Sequence, residues 1–209
     1  MYSCESFLDY AYEGDEALEA FHPIKSIQNA IIKLINFIQK MLNRIRGMRA
    51  VYLPEMYLED FKKMIKAFSS FNKTIEKLIK TNNINDSSIS QLEEAVKTIE
   101  TSSIYGNFVN MDVSTFGKDD FVEIQNKGDI IEALNRSLNT ITFYKTELNK
   151  TTEDGDKEKL YKKFANVVIR YHSLQTTLFS KILKIHRPLS DPKNVNKLGA
   201  VGTATPQMG

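Results

Sequence analysis

Apolar side chains recur at Ile24, Ile27, Ile31, Leu34, Ile38, Met41, Ile45 and Met48, alternately three and four residues apart. Unbroken alternation of this kind keeps all members on one side of a 3.6-residue helix, so the spacing predicts a single helix over residues 23 to 50. Ala30, Ile35, Phe37 and Leu42 widen the stripe beyond a two-stranded seam, which suits a helix that touches two or more neighbours. Pro23 fits a first helical turn, where its missing N–H is harmless, while Gly47 weakens the far end and Pro54 forbids simple continuation.

The same period returns at Leu58, Phe61, Ile65, Phe68, Ile75 and Ile79, with Asn72 filling one gap in the stripe. A short linker between two long helices predicts that they fold back antiparallel. Ser88 and Gln91 match a capping box for a shorter helix to about Ser102, with a narrow face of Leu92, Val96 and Ile99. Residues 104–127 then lose the helical period. Their aromatic and branched residues, interrupted by Gly106 and Gly117, predict a crossover that is either irregular or a small β-hairpin, and a stretch this long is a candidate site. Asp129 suits the cap of a fourth helix with Ile131, Leu134, Leu138, Ile141 and Leu148. Asp156 opens a fifth with Leu160, Phe164, Val167, Tyr171, Leu174, Leu178, Ile182 and Ile185, which Pro188 and Pro192 are expected to end.

The elements add up to an all-α fold: an antiparallel bundle of four long helices plus one short helix, with the irregular or small β-hairpin crossover and flexible ends. Three regions are expected: residues 1–22 as an acidic leader, 23–187 as the bundle and 188–209 as a flexible tail rich in Gly, Pro, Thr and Asn.

Charge sharpens the first boundary. Residues 1–22 carry Glu5, Asp9, Glu13, Asp15, Glu16 and Glu19 and no Lys or Arg. Every charged residue from 23 to 50 is basic: Lys25, Lys33, Lys40, Arg44, Arg46 and Arg49. The net charge of +2 over 209 residues hides this local asymmetry. Lys33, Lys40, Arg44, Arg46 and Arg49 are therefore candidate partner contacts, with Phe108, Phe116 and Phe121 of the crossover as a second contact surface. The basic amphipathic helix has three conceivable uses: contact with another protein subunit or a second copy of the chain, contact with phosphates, or binding to anionic lipid.

Enzymatic and metal chemistry find little to stand on. Cys4 is the single cysteine, which excludes an intrachain disulfide and a Cys-rich zinc site. His22, His172 and His186 lack the spacing of paired ligands, and all three are expected in ordinary surface or boundary positions. The Glu-x-x-His pair that diiron bundles use is missing, as are GxSxG, GxGxxG and the P-loop pattern. No catalytic residue, cofactor or small-molecule substrate is expected. A secretory signal is not expected from the acidic start, and no apolar run reaches the ~20 residues that cross a bilayer.

Two tripeptides in the leader, Ala11-Tyr12-Glu13 before Gly14 and Ala17-Leu18-Glu19 before Ala20, resemble the sites cut by prohead proteases when large tailed phages mature. The excess of Lys over Arg and the abundance of Ile and Asn resemble an AT-rich bacterial or phage genome. The resemblance implies a virion structural or internal head protein, found in the virion or the bacterial cytoplasm. It also implies processing between Glu13 and Gly14 or between Glu19 and Ala20. The alternative is a peripheral membrane or pore-related helical protein that uses residues 23–50 on lipid.

Overall fold

The computed structural model describes residues 23–150 and 155–190. Six α-helices and a two-stranded antiparallel sheet account for most of these residues. In chain order they are α1 (Pro23–Gly47), β1 (Tyr52–Pro54), α2 (Leu58–Thr81), α3 (Asp86–Glu100), α4 (Ser103–Asn110), β2 (Phe121–Glu123), α5 (Lys127–Lys150) and α6 (Gly155–Ser190). The acidic leader, with its two tripeptides, and the tail beyond Ser190 lie outside the described residues.

The stripe read from the sequence is the buried face of α1. Ile31, Ile38 and Ile45 are fully enclosed, and Ile27, Leu34, Met41 and Leu42 nearly so, all within one hydrophobic cluster. The helix packs chiefly against α5 and α6. Gln28 bonds to Asn149 near one end of the α1–α5 contact and Arg46 to Asn135 towards the other, so the two helices run antiparallel. Tyr144 on α5 donates to the Tyr161 carbonyl of α6, and Ser137 pairs with Gln175, so α5 and α6 are antiparallel as well.

The second long helix departs from the expected arrangement. Its neighbour is α5, and the two run in the same direction: Asn72 meets Ser137, and one turn later Glu76 meets Thr140. The parallel pairing requires a return crossover, and α3 and α4 provide it by running alongside α6. Along that contact Asp86 pairs with Lys163, Glu100 with Arg170, the Tyr105 hydroxyl with the Leu174 carbonyl, and the Met111 carbonyl with Lys181 Nζ.

The crossover contains no hairpin of its own. Ser102 caps α4 by accepting from the Tyr105 N–H, and β2 pairs with β1, from the linker between α1 and α2, with Leu53 opposite Val122. Leu53 and Phe121 are buried, so the expected excursion closes one end of the core instead of forming a separate flap. Period reading missed α4 because eight residues with a glycine inside hold barely two turns of pattern.

Helix boundaries also moved. The capping box of α3 is Asn85 with Ser88, each side chain serving the other's backbone N–H, and not Ser88 with Gln91. Asn85→Ala is expected to lower stability by about 1 kcal/mol in urea denaturation. Asn126, not Asp129, precedes α5, and its side-chain amide donates to the Asp129 carboxylate inside the first turn. Asn82 closes α2 at φ 50°, a left-handed position that asparagine tolerates better than other non-glycine residues. α6 passes through Pro188 to Ser190. Proline there removes only the bond to the Lys184 carbonyl, and the helix ends two residues later, so little of the ladder is lost.

Candidate functional site

Two features stand apart from ordinary packing, the outer face of α1 and a polar layer inside the core. On α1, Lys25, Lys40, Arg44 and Arg46 are exposed, as is Arg49 just past its end, and Lys33 is half-buried. Arg46 donates to the Asn135 side chain at 3.1 Å. Lys25, Lys40, Arg44 and Arg49 form no salt bridge among the described residues. Many charges elsewhere are matched locally, such as Arg136 between Glu76 and Glu132 and Arg170 with Glu100. Ile32, 37% exposed, adds an apolar spot on the same outer face.

Membrane use of α1 would have to expose its stripe. Each Ile, Leu or Met uncovered costs roughly 1.5–3 kcal/mol, and seven are buried, so the total rivals the whole stability of a domain. No helix among the described residues is long and apolar enough to cross a membrane.

The second expected contact surface is corrected. Phe108 is 3% exposed, edge-on to Tyr57 with ring centres 5.6 Å apart, and Phe121 is buried with Phe116 leaning on it at 5.9 Å. Phe108 and Phe121 turn inward and join the core cluster that also holds Leu53 and Ile124. Only Phe116 keeps partial exposure. A row of exposed lysines on α2 (Lys62, Lys66, Lys73, Lys77 and Lys80) is a second cationic stripe; its signal is lysines spaced 4, 7, 4 and 3 residues apart.

The inner polar layer joins three helices at one level. Asn72 Nδ2 donates to Ser137 Oγ at 3.3 Å. Ser137 Oγ lies 2.6 Å from Gln175 Oε1 and 2.9 Å from the Ala133 carbonyl, and its single proton serves one of them at a time. Gln175 Oε1 also lies 2.8 Å from His172 Nδ1, an arrangement that suits the tautomer with its proton on Nδ1. All four side chains are fully buried. Asn72 Oδ1, Gln175 Nε2 and His172 Nε2 have no hydrogen-bond partner there.

His172 is thus a core residue and not the surface or boundary residue expected. Burial pushes its pKa down to about 4, against a smaller upward pull from the Gln175 bond. Asn72 alone was visible in advance, as a polar residue in an apolar stripe; Ser137, His172 and Gln175 sit in stripes rich enough to hide them. His172 touches Gln175 rather than Ser137, so the hydroxyl has no base beside it, and the layer lacks the nucleophile–base contact that acyl chemistry needs. Among the described residues no three His, Cys, Asp or Glu side chains gather into a metal-binding group.

The fold and the two features define a mostly helical protein with a small sheet, a cationic outer helix face and a polar layer in its core. No family model matches the chain, and no curated protein or solved structure is significantly similar to it.

Proposed function

We propose that this chain is a non-enzymatic structural or interaction protein, most specifically a component of a tailed-phage particle, whose contact face is the outer side of α1. The observation that carries the reading is a helix whose apolar stripe is already covered by its own core, yet whose outward cations Lys25, Lys40 and Arg44, with Arg49 just past its end, have no ion-pair partner among the described residues. Such a face attracts an acidic partner and adds little to folding. The partner is another protein subunit, and the two leader tripeptides mark where the acidic segment is removed. The four long helices serve as one bundle, α1 and α6 pointing one way and α2 and α5 the other, a direction supported by the side-chain pairs between them.

Mass spectrometry of particles from the native source tests the specific form. The chain is expected in them with Gly14 or Ala20 at its N-terminus. An intact Met1 or Tyr2 terminus contradicts processing, and absence of the chain contradicts the particle. Joint reversal of Lys40, Arg44 and Arg49 to Glu is expected to lower recovery in particles while moving stability by no more than about 0.5 kcal/mol, as for other surface changes.

A further inference from the structure

We infer that the exposed basic face of α1 is the docking surface for residues 1–22 of the same chain, which mask it until they are removed or displaced. The inference rests on reading that face as a contact surface and names its first occupant. Charge is the leading argument. Residues 1–22 hold six carboxylates and no Lys or Arg, and α1 holds no carboxylate at all. Lys25, Lys40 and Arg44 lie exposed along α1 without an ion pair among the described residues, so an acidic segment that reaches this face meets cations not already paired there. Ile32 offers an apolar contact on the same face for the Phe, Tyr and Leu residues of the segment.

Position is the second argument. The segment ends at His22 and α1 begins at Pro23, so the acids are tethered beside the cations. At the helical rise 22 residues reach about 33 Å, close to the roughly 37 Å length of α1, and a fully extended segment reaches farther. A tether this short holds the two charge sets at a millimolar effective concentration, which favours the same chain over a second copy or a free ligand. Exposed charges attract over about a Debye length, so the contact weakens as salt rises.

Zero-length carbodiimide cross-linking of the full chain tests this, because an amide forms only where a carboxylate touches a lysine. An equal mixture of isotopically light and heavy protein separates links within a chain from links between chains. The expected result is intrachain links from Glu5, Asp9, Glu13, Asp15, Glu16 or Glu19 to Lys25, Lys33 or Lys40, several-fold above links to Lys66, Lys73 or Lys77 on α2, and their loss at high salt. Links spread evenly over α1 and α2, links only between chains, or none to α1 at low salt would overturn the inference. Cross-links read the contact within the chain, whereas particle recovery reads an outside partner, so either can fail without the other.

Discussion

Replacing Ile38 by Ala is expected to lower the unfolding free energy by about 3 to 4 kcal/mol, measured by urea denaturation. Ile38 is fully enclosed at the middle of the α1 stripe, where α5 and α6 close over it. The change removes buried methyl groups and leaves a cavity that three helices held by many other contacts cannot fill. An α1 only loosely attached to the rest of the chain would respond like a surface helix, with a change under about 0.5 kcal/mol. The same experiment on Ile32, 37% exposed, serves as the internal control and is expected to show a small effect.

Acid is expected to destabilise the protein through His172 more steeply than its exposed charges would require. The folded pKa is depressed to about 4, whereas the unfolded imidazole titrates near its ordinary value of 6.5. Above pH 6.5 the ring is neutral in both states and the residue contributes no pH dependence. As pH falls below 6.5 the unfolded chain takes up a proton that the core refuses, so stability declines until the pH reaches about 4, where the folded protein is protonated too. At about 1.4 kcal/mol per pKa unit the loss is roughly 3 kcal/mol. Carboxylates titrate in the lower part of this window, so the residue's share is the difference between the parent and His172→Leu. The variant is expected to lose less stability between pH 6.5 and 4. Parallel profiles would mean that His172 titrates normally.

The helices were legible because their stripes are long: seven positions in α1, with Met48 just past its end, and seven in the reading of α2 keep the period without a slip. Spacing records which face is buried but says nothing about which helix covers it. The parallel α2–α5 pair was therefore out of reach, since it depends on α3 and α4 carrying the chain back along α6. Three-residue strands such as Tyr52–Pro54 and Phe121–Glu123 are too short to show alternation, and their partners lie about seventy residues apart. The cationic face of α1 was readable because charge needs no tertiary context. The buried layer was not, since Ser137 and Gln175 differ from surface polar residues only in what surrounds them. The aromatic crossover misled for a related reason: Phe108 and Phe121 signal burial or contact equally well, and the core claimed them.

The central claim is that α1 belongs to the core, with its apolar stripe buried and its cations on the outer face. Amide hydrogen exchange of residues 27–45 in the full chain, with and without vesicles containing anionic phospholipid, tests it most directly. The account predicts slow exchange that tracks global unfolding, as expected for core helices, and no loss of protection when vesicles are added. Rapid exchange across α1 while α5 and α6 stay protected, or protection of α1 that appears only on the vesicles, would contradict it.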